Sequence, residues 1–381
     1  MDKAGVYLDF AAATPLDEAV AQAMQPYYNQ YFFNPSADYH AARSIKKSLN
    51  QARADVASSL GAKSGEIIFC AGGTEANNLA IKGIMDQYPE SRVLVSAIEH
   101  ESVLVPAAEY RRTLIKVDAS GLIDQADLKK AIDNSVVLVS IMYANNEVGT
   151  IQPMWQIAAV IQAEKAARKQ AGNTLPLFFH SDACQAANYL DLHVSRLGLD
   201  LMTLNGGKIY GPKQSAILYV KTGTTLKAQI DGGGQENGIR SGTENVAADI
   251  GFAYSLRLAQ SQREQQSKST AQLRDYFIER LQQEFKSSQI NGTLHKRLAN
   301  NVHVSFFGAD NEVLLIALDQ AGIMAAAGSA CSAAHAESSH VLRAMGLSDA
   351  QARSSLRFSL GKTSTRAEVE RTINVLKTLV N

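Results

Sequence analysis

The sequence predicts an α/β protein: a large domain on a mostly parallel seven-stranded sheet, followed by a smaller α+β domain. Two observations carry this. From about residue 65, short β-rich runs alternate with amphipathic helical stretches, the order that lays helices over both faces of a sheet. The runs are apolar on both faces, as strands covered from both sides require. A chain of 381 residues, 46% of them apolar, can bury such a core and divide into two subdomains.

The elements follow in order. Residues 66–69 read as the first strand and 75–84 as a helix; strands follow at 92–96, 113–117 and 136–142. Residues 154–171 are helical, and the last three strands of the sheet fall at 177–179, 201–204 and 216–220. From Val246 a helical pattern runs through a polar, glutamine-rich stretch (260–269) to Phe285, and that polar stretch reads as a boundary. The segments 302–306, 312–319, 338–345 and 355–360 and a final helix compose the smaller domain. The large domain is expected at 16–255, and the small one at 1–15 together with 256–381.

Composition narrows the function. Lysine plus arginine equals aspartate plus glutamate at 37 each, so nothing points to nucleic acid or another polyanion. No apolar run is long enough to span a bilayer, and the first residues lack the apolar core of a signal peptide. A cytoplasmic protein with no membrane partner is expected. Cys70, Cys184 and Cys331 are too few and too scattered for a disulfide framework, and no CxxC pair offers a metal site. Any cysteine chemistry is that of a single thiol.

In an open α/β sheet, ligands collect beyond the carboxyl ends of the strands. Cys70-Ala71-Gly72-Gly73-Thr74-Glu75 is a strand, a glycine turn and a helix start, suited to cradling phosphate, with Thr74 expected as both cap and ligand. His100, just past another strand, can stack on a planar ring or move protons near neutral pH. Asn145 and Asn146 offer amide donors where the sheet opens. Asp182 and Lys208 end two further strands; an acid and a lysine so placed can hold the two ends of a pyridinium cofactor. Taken singly, each has a plainer alternative: an ordinary βα turn, a structural histidine, a capped turn, a solvated lysine. Together they supply, in chain order, a phosphate cradle, a stacking imidazole, an amide, an acid for a ring nitrogen and an anchoring lysine, a set that points to pyridoxal 5′-phosphate.

The same residues carry a resemblance that covers almost the whole chain. Its stretches include Asn34-Pro35-Ser36, Gly73-Thr74-Glu75-Ala76-Asn77-Asn78, Glu99-His100 and Asn145-Asn146-Glu147-Val148-Gly149. They continue with His180-Ser181-Asp182, Lys208 with Tyr210-Gly211-Pro212-Lys213, Arg240-Ser241-Gly242-Thr243, Gly328-Ser329-Ala330-Cys331 and Leu356-Arg357-Phe358. In these the chain resembles the class V aminotransferase family of fold type I pyridoxal-phosphate enzymes, and within it the cysteine desulfurases of the NifS/IscS group. The resemblance implies that Lys208 is the covalent anchor and the base, and that Asp182 pairs with the pyridine nitrogen. Gln185 and Asn146 would contact the ring hydroxyl, and His100 would stack on the ring and relay protons. Gly73, Thr74 and Asn205 would bind the phosphate, and Thr243 the phosphate of the partner subunit in a homodimer. Arg357, with Asn146, would clamp the substrate carboxylate.

Cys331 decides the implied reaction. It lies in a run of alanine, serine and glycine, the composition of an arm that carries a nucleophile to substrate and away again; a small cysteine buried in an alanine-rich turn is the alternative. The resemblance implies conversion of L-cysteine to L-alanine with a persulfide left on Cys331. The sulfur would pass to an acceptor protein for iron–sulfur cluster assembly or tRNA thiolation. The spacing after Cys331 is similar to the longer-loop group I enzymes; Cys70 and Cys184 read as structural. Three features depart from the pattern. Asn205 and Gly207 stand where group I enzymes carry Ser-x-His, Phe10 stands where Asn or Tyr is usual, and the chain stops at Asn381 without the longer tail. Looser retention of the cofactor is expected, and delivery to an iron–sulfur scaffold is less secure than the chemistry. Selenocysteine lyase or another β-eliminating lyase, and a non-catalytic scaffold subunit, remain the competing readings.

Overall fold

The computed structural model describes residues 5–328 and 338–380. Its strands, in chain order, are β1 Val6–Tyr7, β2 Ile67–Cys70, β3 Arg92–Ser96, β4 Arg111–Ile115, β5 Val136–Ser140 and β6 Phe178–Asp182. They continue with β7 Leu201–Asn205, β8 Ala216–Val220, β9 Ser288–Ile290, β10 Asn301–Phe306, β11 Ile323–Met324 and β12 Ser355–Ser359. The central sheet is seven-stranded, in the order β2-β8-β7-β6-β5-β3-β4. Only β8 opposes its neighbours; the other pairings are parallel. Every residue of β5 and β8 is buried, which is why these strands read as unbroken apolar runs.

Each face of the sheet carries its own core. The helix Gly73–Met85 turns Ala76, Leu79, Ala80 and Ile84 onto one face, against Val93, Val95 and Leu218. On the other face lie Ile157 and Ile161 of the helix Met154–Gln170, and Leu49, Val56 and Leu60 of the helix His40–Leu60. That last helix has its buried residues three or four apart, yet several are alanines, so its apolar stripe is faint in the sequence. A second, separate core gathers Val6 and Leu8 from the N-terminal segment with Phe277, Leu281, Val304, Phe358 and Ile373.

Strand limits differ from the sequence expectation where polar residues find partners. The strand expected at 177–179 runs on to Asp182, because His180 is hydrogen-bonded to Ser140 (2.8 Å) and Thr203 (3.1 Å) on the flanking strands. The edge strand β4 starts earlier than expected, at the exposed Arg111 and Arg112. The helix expected from Val246 through the polar stretch 260–269 is continuous. It runs over Val246–Glu284 and is roughly 58 Å long. Phe252 and Leu256 near its start belong to the sheet core, and Phe277 and Leu281 near its end belong to the second core. A helix bridging two cores through solvent is polar in the middle. Among the described residues, no helix is long and apolar enough to cross a membrane.

Candidate active site

A cavity of about 240 Å³ opens beyond the carboxyl ends of β5, β6 and β7. Gly73, Thr74, His100 and Asn146 line it, as do Asp182, Gln185, Asn205 and Lys208; Arg357 enters from β12 of the second core. All the cofactor and substrate residues expected from the sequence meet here except Thr243. Thr243 lines a different hollow, with Arg240, Glu244 and Asp249. Cys331 lies outside the described residues.

Lys208 sits on a short turn (Gly206–Lys208) that follows β7 directly. Its Nζ donates to the backbone carbonyls of Ala11 (2.9 Å) and Ala12 (2.6 Å), on the loop after β1. Burial pulls its pKa below the usual lysine value, and the Arg357 guanidinium works in the same direction. Gln185 Nε2 donates to the same Ala11 carbonyl (3.0 Å).

Asp182 ends β6 and is buried. Its Oδ1 accepts from the Cys184 backbone N–H (2.9 Å) and its Oδ2 from Asn77 Nδ2 (2.7 Å). The Asn77 amide also donates to Ser102 Oγ (2.8 Å), which is hydrogen-bonded to His100 Nδ1 (2.8 Å). That nitrogen also accepts from the Ser102 backbone N–H (3.1 Å), so the proton of a neutral ring sits on Nε2. The acid and the imidazole are thus linked through Asn77 and Ser102, neither of which was singled out from the sequence. The signal was available for Asn77: it lies one turn beyond Gly73, a polar residue on the buried face of an otherwise apolar helix.

On the phosphate side, the helix Gly73–Met85 has Gly72 as its N-cap, without a side-chain capping bond. The expected cap at Thr74 is therefore corrected: the glycine pair lets the helix begin one residue before Thr74, which falls inside its first turn. A Cβ on Gly73 would lie 3.2 Å from both Asn205 Nδ2 and Cys184 Sγ, so this glycine keeps the cradle open. Asn205 Oδ1 accepts from Gly207 N–H (2.9 Å). Of the two asparagines after β5, Asn145 satisfies its own turn, accepting from the N–H groups of Glu147 (2.8 Å) and Val148 (2.9 Å); Asn146 is the one that faces the cavity.

Arg357 is almost wholly buried. Its Nη2 pairs with Asp9 Oδ1 at 2.7 Å, and its Nη1 donates to the Asn146 carbonyl at 3.0 Å. Asp9 is 348 residues away in the chain, and no local pattern marks it as a partner. The backbone of Arg357 also bonds to Ala326 on the segment leading toward Cys331 (2.6 and 3.1 Å). Beyond that segment, Ser339 Oγ donates to the buried Glu147 (2.5 Å), and His340 Nε2 is hydrogen-bonded to the Glu99 carbonyl (2.9 Å). Cys70 and Cys184 both have thiols pushed well above the ordinary value by burial.

Residues 6–372 match the aminotransferase class-V family. The chain belongs to that family. It is 38% identical to the cysteine desulfurase IscS of Dictyoglomus turgidum, an alignment that covers 99% of this chain and 95% of the relative. Its structure superposes on that of a NifS-like protein with a TM-score of 0.89 at 28% identity, covering 98% and 99% of the two chains. It also superposes on SspA, solved in complex with cysteine, with a TM-score of 0.80 at 33% identity, covering 93% and 98%. Within the family the chain is a NifS/IscS-like enzyme of the cysteine desulfurase type and depends on pyridoxal 5′-phosphate.

Proposed function

We propose that this enzyme converts L-cysteine to L-alanine and leaves the sulfur as a persulfide on Cys331. The observation that carries the reading is the meeting of Lys208, Asp182 and Arg357 in one cavity, delivered from two separate cores. The residues fit pyridoxal phosphate: a desolvated lysine, a buried carboxylate fixed by two donors, and a cradle at Gly73 that a Cβ would fill. Bound there, the cofactor supplies an electron sink for the bond changes at the substrate α-carbon.

The protein's own groups do the rest. Asp182 sits where a ring nitrogen would be kept protonated, its charge held in place by Asn77 and the Cys184 N–H. Lys208, with its pKa lowered by burial, reaches its neutral form more readily and takes up the substrate's α-proton at Nζ. His100, oriented through Nδ1, offers its ring face for stacking and Nε2 for proton relay. Gly73, Thr74 and Asn205 hold the phosphate, and Gln185 and Asn146 the ring hydroxyl. Arg357, steadied by Asp9 and the Asn146 carbonyl, receives the substrate carboxylate. Cys331, as its thiolate, would then attack the substrate sulfur: the new S–S bond forms as the bond from sulfur to the β-carbon breaks, and the carbon side keeps that bonding pair, takes up a proton at the β-carbon and leaves as alanine. The pinned segments at Ala326 and at Ser339 and His340 support this role, since both lie against the site.

A homodimer in which Thr243 completes the partner's phosphate site belongs to the same proposal. So do a cytoplasmic location, a protein sulfur acceptor serving iron–sulfur assembly or tRNA thiolation, and the division into residues 16–255 against 1–15 with 256–381. Incubation with L-cysteine, followed by an alanine assay and mass spectrometry of the Cys331 peptide, tests the reading. Stoichiometric alanine together with a 32 Da gain on Cys331 is expected (one sulfur atom, about 32 Da). A Cys331→Ala variant that keeps full alanine output would point to a lyase instead.

A further inference from the structure

We propose that Lys213 is a ligand of the cofactor phosphate, reaching it across the space that Gly207, lacking a side chain, leaves open. The inference rests on the assignment of the cavity to pyridoxal phosphate and names a further residue of that site. A second hollow adjoins the main cavity and shares Gly73, Thr74, Asn205 and Lys208 with it; Lys213 and Gln214 form its far side. A Cβ built on Gly207 would lie 3.2 Å from Lys213 Cδ, so the lysine stem runs across the place a side chain at 207 would occupy. Its ammonium donates to the carbonyl of Thr14, on the same loop whose Ala11 and Ala12 carbonyls seat Lys208.

The hollow suits an anion. Glu75 is the acid on its border, and that carboxylate is paired with Arg240 (2.8 Å) and accepts the Ala71 N–H (3.1 Å). The start of the helix Gly73–Met85 and the Asn205 amide face the same space. Among the described residues the hydrogen-bond partner of Lys213 Nζ is the Thr14 carbonyl, and a dianionic phosphate is a stronger acceptor than a single carbonyl. The backbone agrees: Gln214 keeps a side chain at φ 56, a left-handed position that glycine would occupy without strain, and that side chain also borders the hollow. On phosphate entry Nζ leaves the Thr14 carbonyl and donates to a phosphate oxygen, with no covalent change.

Titrating the full-length, cofactor-free protein with pyridoxal phosphate, and separately with pyridoxal, isolates the phosphate contact. Both are read by absorbance of the bound cofactor and by equilibrium dialysis. Lys213→Ala should weaken pyridoxal phosphate binding about tenfold, the loss of one charge-assisted hydrogen bond at a solvent-facing site. Pyridoxal binding should stay as in wild type. Lys213→Arg should recover most of the loss, and Gly207→His placed in the Lys213→Ala background should recover part of it. Equal losses for both ligands, or none for either, would overturn the role of Lys213. Failure of the wild-type protein to bind pyridoxal phosphate would instead overturn the cofactor assignment beneath it.

Discussion

Replacing Asp9 by Asn removes the charge that Arg357 faces while keeping the shape of the side chain. The pair is short, 2.7 Å, and its two side chains are only 2% and 19% exposed. Removing one partner of a buried pair costs about 3–5 kcal/mol, because the remaining charge stays buried without its counter-ion. Asn Oδ1 still accepts from Nη2, and the Asn146 carbonyl still holds Nη1. The expected loss for Asp9→Asn is therefore lower, about 2 kcal/mol. Arg357→Met strands Asp9 instead, at a place water can reach, and the double variant buries no unpaired charge. Urea denaturation of all four proteins at pH 7 should give a double variant more stable than the sum of the single losses, by about 1 kcal/mol or more. L-alanine, whose carboxylate can re-pair Arg357, should raise the melting temperature of Asp9→Asn more than that of wild type. Additive losses, or an Asp9→Asn variant within about 0.5 kcal/mol of wild type, would refute the view that this pair is what keeps the arginine charge tolerable in the cavity wall.

Burial holds the Glu99 carboxyl well above its ordinary value of 4.5, and the Asp182 charge adds to the shift, only partly offset by the Met142 N–H. The folded state therefore keeps a proton that the unfolded chain releases, and stability falls as pH rises above 4.5 until the folded group titrates, by about 1.4 kcal/mol per pH unit. Glu99→Gln should remove that slope, measured by urea midpoints at about pH 5 and pH 7. Gly73→Ala puts a methyl 3.2 Å from Asn205 Nδ2 and Cys184 Sγ, so pyridoxal phosphate affinity should fall about tenfold with little change in melting temperature, read by cofactor titration and calorimetry. Buried and with its thiol raised by that burial, Cys70 should resist iodoacetamide at neutral pH until the protein unfolds; early labelling, located by peptide mass spectrometry, would contradict its packing.

Much of this enzyme was legible in the linear chain, because strand and helix patterns are local. Unbroken apolar runs such as β5 and β8 announce strands covered on both sides, and small or polar residues after them announce where a ligand can enter. The seven strands and the residues at their ends were readable for that reason. The sequence was misleading where a local cue had two meanings. Thr74 resembled a cap although the helix starts before it, with Gly72 as its N-cap.

Folding alone decided the contacts between segments far apart in the chain. The seating of Lys208 on the Ala11 and Ala12 carbonyls, the Asn77 link between Asp182 and His100, and the pairing of Arg357 with Asp9 join residues that no periodicity relates. The order of strands in the sheet and the packing of the second core against it bring them together. Composition and spacing can say which residue types a site contains. The partners that fix each charge, and the burial that shifts each proton, depend on which segments come to share the low-dielectric space between two cores.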